Sequence, residues 1–191
     1  MNLAFDEDTH TYSVNGKVIP SVTQILNIAN DFGFVNKELL DRASRFGKAV
    51  HKATELYDAC ELNEAILDEN LLPYLDGWKL FLSDTNFRVI SSEGRVYSKH
   101  GYAGTYDRLG YLDGRLTLLD IKTSTTVARS TSLQLAAYEQ AYKEMHDLEI
   151  EQLISVQLKP GAYSIIHYGD RTDFLTFLNF LNVYKWSHKN A

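Results

Sequence analysis

Two hydrophobic rhythms run along this chain, one of period two and one of period 3.6. The first appears at once: Tyr12-Ser-Val and Lys17-Val-Ile19 flank Asn15-Gly16 and predict a β-hairpin, because Asn-Gly accepts the positive φ angles of a two-residue turn. Pro20 ends that hairpin, and Ser21-Val-Thr-Gln24 has capping-box spacing ahead of Ile25 and Leu26. Helical spacing predicts one helix from about Asn36 to Ala59 and a second from about Asp68 to Leu82. Three strands are expected next, at Phe87 to Tyr97, Tyr102 to Leu112 and Arg115 to Lys122. A polar loop, Thr123 to Ser130, leads to a helix over roughly Ser132 to Met145, with Ser130, Thr131 and Ser132 as N-cap residues. Two more strands, Gln152 to Leu158 and Tyr163 to Tyr168, turn at Pro160-Gly161. The last helix sets Phe174, Phe177, Leu178, Leu181 and Tyr184 on one stripe, which reads as core. This order predicts an α/β fold: a central mixed sheet flanked by helices, with an N-terminal β-hairpin and helices.

Composition narrows the setting. At 191 residues and 45% apolar content the chain can build one sizeable core, and no repeat or linker divides it. No apolar run approaches membrane-span length, so no membrane partner is expected. The acidic start, Asp6-Glu7-Asp8, argues against a leader, which points to the cytoplasm. Cys60 is the sole cysteine, which excludes an intrachain disulfide and a four-cysteine metal or iron–sulfur site. The net charge of −6 argues against nucleic acid if read as a bulk property, but local basic surface decides that question.

Candidate chemistry begins at Leu112-Asp113-Gly114-Arg115, a second two-residue turn. With the turn there, opposed residues sum to 227, so Asp107 faces Asp120. Directly opposed side chains have Cβ atoms roughly 4.5–5.5 Å apart, and like charges so placed destabilise a sheet. A shared cation or a proton relieves that repulsion. Period two puts Lys122 on the face of Asp120. Two acids and a lysine on one patch suit a hard ion such as Mg²⁺ or Mn²⁺. An ordinary solvated strand face is the plain alternative.

On the first long helix, Phe46, Val50, Ala53 and Tyr57 form an apolar face. His51 and Glu55 fall opposite it, beside Lys48 and Lys52, with Arg45 following. That is what a phosphate-tracking wall beside a metal requires, although a solvated face laced with Glu–Lys pairs accounts for it equally. The helix after Lys122 is expected to aim its N-terminus at anions, with Gln134 in its first turn and Tyr138 one turn on. Helix capping plus a half-buried tyrosine is the alternative there.

Arg45-Phe-Gly-Lys-Ala-Val-His51, Gly104-Thr-Tyr-Asp107, Asp120-Ile-Lys122-Thr-Ser and Gln134-Leu-Ala-Ala-Tyr138 occur in one order over residues 45–138. Together they resemble the PD-(D/E)xK nuclease superfamily, and within it the RecB-like exonuclease branch with its small phage members. Ile19-Pro-Ser-Val-Thr-Gln-Ile-Leu26 also looks like phage relatives, which adds Ser21 and Thr23 to Arg45, Lys48 and Lys52 as nucleic-acid-binding candidates. The resemblance implies a restriction-endonuclease-like core in one nuclease domain over 1–191: hairpin and lead-in at 1–30, helical part at 36–85, catalytic core at 87–168, and C-terminal helix at 170–191.

By the same resemblance Asp107 and Asp120, with the Ile121 carbonyl and His51, would hold Mg²⁺ or Mn²⁺. Lys122 would orient or activate the attacking water, and Gln134 and Tyr138 would complete the site. Glu93 resembles an acidic position of this branch, and Glu55 is a further candidate. Tyr106 stands where the superfamily name has proline, and the cysteines of cluster-bearing relatives are absent, so this would be a member without an iron–sulfur cluster. The implied activity is metal-dependent hydrolysis of DNA at ends, in recombination or repair, with a recombination or replication partner protein and a phage-encoded origin in a host cytoplasm. A structure-specific endonuclease, a catalytically silent nucleic-acid-binding module and a small domain with an acidic docking face are the alternatives.

Overall fold

The computed structural model describes residues 2–28 and 37–189, so the expected helix start at Asn36 lies outside the described residues. Strands β1 (Leu3–Asp6), β2 (Thr11–Val14) and β3 (Lys17–Ile19) form an antiparallel sheet, followed by the short helix α1 (Val22–Leu26). Asn15 and Gly16 carry φ of 51° and 80° in the expected turn, and Ser21 and Gln24 close a reciprocal capping box. Strand β1 was not expected, because its four residues carry almost no periodic signal. It exists because Phe5 pairs with Tyr12 across the sheet and Asp6 Oδ1 accepts the Asp8 and Thr9 amides in the turn.

Helices α2 (Lys37–Asp58) and α3 (Leu72–Thr85) come next. Helix α3 begins four residues later than periodicity predicts. Pro73 occupies its first turn, where a missing N–H costs nothing, while Asp68 folds back on the Asn70 amide. Then follow β4 (Arg88–Ser98), β5 (Tyr102–Leu112), β6 (Arg115–Lys122), α4 (Ser130–His146), β7 (Gln152–Lys159), β8 (Ala162–Tyr168) and α5 (Asp173–Ser187). The five strands form one sheet in order β4-β5-β6-β7-β8. The β6–β7 pair, joined through α4, is parallel, and the other pairs are antiparallel. The fold is therefore α/β with a mixed sheet, as expected.

Helices cover both faces of this sheet. Leu118 joins Tyr102, Leu135, Ala141, Phe177 and Leu181 in a core beneath α1, α4 and α5. Its neighbours Leu119 and Ile121 join Val50, Trp78, Phe81 and Ile154 beneath α2 and α3. Period-two alternation on β6 thus feeds two cores. Phe177 and Leu181 are buried, with Phe174, Leu178 and Tyr184 packed against them, as the stripe predicts.

The small sheet is tied to the large one. Ala103 donates to Pro20 O at 3.0 Å, and Tyr12 and Thr105 share a hydroxyl hydrogen bond of 2.7 Å. Among the described residues no helix is long and apolar enough to cross a membrane.

Candidate metal centre

The β5–β6 ladder runs from Leu112↔Arg115 to Arg108↔Leu119 in the expected 227 register and stops there. Asp107 and Asp120 therefore do not form a ladder pair, which corrects the sequence expectation by one step. Past Arg108 the strands part, and Asp107 Oδ2 accepts the Ile121 amide at 2.6 Å where a backbone carbonyl would otherwise sit. Strand alternation also breaks here. Tyr106 packs toward Tyr142 of α4, whereas Arg108, two residues on, reaches Asp58 and Thr54 of α2. Asp107 sits at the crossover, which leaves its carboxylate near the sheet plane.

On the other flank, Ser92↔Arg108 and Gly94↔Tyr106 bracket Glu93, whose φ is +50°. A non-glycine residue in that region is strained, and here the strain turns the carboxylate toward Asp107. Gly94 is required beside it, since a Cβ would overlap the Tyr106 ring.

His51, Glu93 and Asp107 each offer a ligand atom, and the three atoms lie within 4.8 Å of one another. His51 Nε2 donates to Ile121 O at 2.9 Å, leaving Nδ1 3.4 Å from Asp107 Oδ1. A histidine oriented through its far nitrogen by a backbone carbonyl is the usual arrangement of a metal-binding imidazole. The Ile121 carbonyl, expected as a ligand itself, is turned to this histidine. Asp120 lies beside the trio and not within it. Lys122 Nζ straddles its oxygens at 3.0 and 2.9 Å. Asp120 Oδ2 is buried, and the Lys122 ammonium is its ion-pair partner.

The electrostatics are those of a site crowded with charge. Burial opposes the His51 cation, but Asp107 first, then Asp120 and Glu93, outweigh it and lift the imidazole to about 9. Burial and the charge of Asp107 push Glu93 up to about 7. Burial raises Asp120 to about 6, against the pull of Lys122 and with the repulsion of Asp107. Burial would raise Asp107 too, but His51, Lys122 and the Ile121 amide hold it below the usual carboxylate value. The donor set of His51, Glu93 and Asp107, with the Asp120 carboxylate beside it, fits a hard or borderline divalent cation.

Helix α4 closes the site from the opposite sheet face. Gln134 Oε1 accepts from Lys122 Nζ at 3.5 Å, and Gln134 Nε2 donates to Tyr138 OH at 3.3 Å. Tyr138 is buried against Gly104, where a Cβ would strike its ring. The expected approach through the α4 N-terminus is corrected. The helix begins at Ser130, Arg129 caps it without a side-chain hydrogen bond, and Gln134 falls in the second turn. Ser130 and Ser132 instead line a cavity with Asp173 and Thr176 of α5.

The basic wall is partly as expected. A cleft of about 500 Å³ is lined by Lys48, Lys52, His51, Glu55, Glu93 and Lys122, among others. Glu55 is paired with Lys52 at 2.9 Å and stays outside the ligand trio. Arg45 is not part of this lining and turns back on Asp41 O. Ser21 is also absent from it: the residue is buried, and its hydroxyl accepts the Gln24 amide. Thr23 is exposed on α1 and lies outside the cleft lining. His51 and Glu55 both reach the cleft, as expected, with side chains 28% and 30% exposed. On a neighbouring edge α2 turns Thr54 and the Asp58 carboxylate inward, where both are buried.

That edge exposes what the sequence reading missed. Arg108 is fully buried, with Nε 2.6 Å from Asp58 Oδ2, a bond to Thr54 Oγ1, and contacts to Glu93 and to the Asp107 carbonyl. Its guanidinium ties α2 to the two strands that carry the acids. The spacing of Thr54 and Asp58 after His51 was the available signal.

No protein-family model matches the chain, and no curated protein matches it. Solved structures similar to it include one described as "Crystal structure of SSO0001", at 14% identity and a TM-score of 0.42, covering 87% of this chain and 84% of that one.

Proposed function

We propose that this chain is a divalent-metal-dependent nuclease that hydrolyses DNA phosphodiester bonds, working from ends as an exonuclease, on a restriction-endonuclease-like core of the RecB-like kind. The observation that carries the reading is the convergence of His51, Glu93 and Asp107 at a strand fork, with Asp120 and Lys122 beside them. His51, Asp107, Asp120 and Lys122 are positions the motif order singles out, and Glu93 is the further acidic candidate; together they come from four separate elements.

His51, Glu93 and Asp107, with Asp120 adjacent, would hold Mg²⁺ or Mn²⁺. A bound ion of that kind supplies Lewis acidity toward the phosphate and lowers the pKa of water. Lys122, kept cationic by Asp120 and Asp107 against its burial, donates toward a water at the carboxylate edge and balances charge developing on the phosphate. Gln134 fixes the Lys122 ammonium, and Tyr138 fixes Gln134. Asp107 and Asp120 are recessed, while Glu93 opens to the cleft from which substrate and water would enter. A replication or recombination protein, phage-encoded or cellular, is the partner class this activity would serve in a cytoplasm.

End-labelled single- and double-stranded DNA incubated with Mg²⁺ or Mn²⁺ should yield a ladder shortening from the ends, abolished by chelation. Internal cuts would make it an endonuclease. Binding without cleavage under either ion would make it a silent module of the same shape.

A further inference from the structure

A second cavity, of about 420 Å³, opens from the metal cleft and shares Lys48, Lys52, Glu55 and Glu93 with it. Its far wall is the N-terminal sheet, which contributes Phe5, Glu7 and His10, while Arg95 and Thr105 form part of the floor. The two cavities make one continuous groove that starts at Glu93 and runs between α2 and the small sheet. The wall is rigid, because the Tyr12–Thr105 hydroxyl bond, the Pro20–Ala103 backbone bond and the Arg95–Glu7 ion pair at 3.3 Å pin that sheet onto β4 and β5.

The chemistry along this groove changes in a definite order. Beside the acids it carries two ammonium groups, Lys48 and Lys52, on successive turns of α2, with Lys52 paired to Glu55. Farther out it becomes a shelf of flat groups. The Arg95 guanidinium lies 4.9 Å from the Phe5 ring centroid, and His10 meets that ring edge-on at 5.0 Å. Tyr12 packs beside Phe5 at 4.5 Å from within, so Phe5 serves as backing and not as the contact surface. Arg95 is 44% exposed and His10 is exposed, which leaves a guanidinium plane and an imidazole facing the groove. A guanidinium already stacked on an aromatic ring has lost little further freedom when a second flat group stacks on its outer side.

Resting on the nuclease reading above, we infer that this groove is a subsite for the unpaired nucleotides next to the scissile phosphate. Lys48 and Lys52 take phosphates, and the Arg95–His10 shelf takes a base. Stacking on a guanidinium or imidazole needs a base with a free face, which a single strand offers at every nucleotide, so the substrate class it selects is single-stranded DNA or a frayed single-stranded end. Inside a duplex the bases stay stacked on one another, so a duplex offers the shelf only the outer face of its terminal pair.

The test separates binding from cleavage. Affinity for fluorescent oligothymidylate and for a blunt duplex is measured by anisotropy in Ca²⁺, for wild type, His10→Ala, Arg95→Ala and Arg95→Lys, with folding checked by circular dichroism. Loss of one stacking partner should weaken oligothymidylate binding about tenfold and leave duplex binding within about twofold. Arg95→Lys, which keeps charge and loses the plane, should recover less than half of that free-energy loss and guards against a folding defect in Arg95→Ala. Equal affinity of wild type and variants for oligothymidylate, or full rescue by lysine, overturns the stacking shelf. Normal oligothymidylate binding by wild type with no cleavage in Mg²⁺ or Mn²⁺ would overturn the nuclease reading while supporting the subsite.

Discussion

Arg108→Met removes the cation at the centre of the buried network and leaves Asp58 behind. The Arg108 and Asp58 side chains are 0% and 4% exposed, so water cannot replace the lost partner. Breaking a buried pair by deleting one member costs about 3–5 kcal/mol, and Trp78 Nε1, 2.8 Å from Asp58 Oδ1, still satisfies one oxygen, so the lower half of that range is expected. Against a total stability of about 5–15 kcal/mol, this is a large fraction. Asp58→Asn should also destabilise, but the double variant should cost less than the sum, with a coupling of about 1–3 kcal/mol. Urea unfolding of all four proteins at neutral pH measures this directly. Burial already holds Asp58 above its ordinary value despite Arg108. A raised folded pKa means stability is present below the unfolded value and lost as pH rises through the folded one. The Arg108→Met deficit should therefore shrink as pH falls below neutral. Additive single costs, or a loss under about 1 kcal/mol, would refute the network's structural role.

Three further outcomes follow from the site. Asp120→Asn removes one of several crowded acids, so cleavage should vanish while urea midpoints hold or rise slightly; unfolding of the variant would show a structural role for the carboxylate. His51, Glu93 and Asp120 have folded pKa values raised to about 9, about 7 and about 6. Their stabilising contributions are complete below their unfolded values and are lost as pH climbs, so the melting temperature of the metal-free protein should fall between about pH 5 and 9. The rise produced by Mn²⁺ should grow over the same window, and in His51→Ala the Mn²⁺ affinity, read by calorimetry, should drop on the order of tenfold; a pH-independent metal effect would contradict the ligand set. Gly104→Ala drives a Cβ into the Tyr138 ring, and overpacking of that kind costs about 1–3 kcal/mol. It should also slow cleavage by shifting Gln134, and a variant as stable and active as wild type would show that Tyr138 moves freely.

Most elements of this fold were legible in the chain because local signals for them are strong. The bounds of β5 and β6 came directly from alternation and the Asp113-Gly114 turn, whose residues adopt φ of 51° and 77°. The apolar stripe of α5 and the capping box of α1 were equally local, since each needs only neighbours three or four residues apart. The placement of Asp107 near Asp120 followed from arithmetic on one turn, and the neighbourhood of Lys122 followed from strand period.

What sequence alone could not decide is everything that depends on where strands stop pairing and which helix edge meets the sheet. The ladder ends one pair before the acids, so the carboxylates meet across a fork, and Asp107 binds an amide in place of a carbonyl. Alternation fails at Asp107, where the β5–β6 ladder has ended and Tyr106 and Arg108 turn to opposite faces, which a strict period-two reading cannot foresee. Glu93 enters the cluster through a left-handed backbone that nothing in Ser92-Glu93-Gly94 demands. A helical wheel locates an apolar face by composition, and so it gave no sign that α2 would bury a polar edge as well. Only packing shows that edge to be Thr54 and Asp58, buried because Arg108 rises from the sheet to neutralise Asp58 and donate to Thr54. Local propensity and period are written into adjacent residues, whereas charge pairing across 50 residues exists only once the chain has brought its elements together.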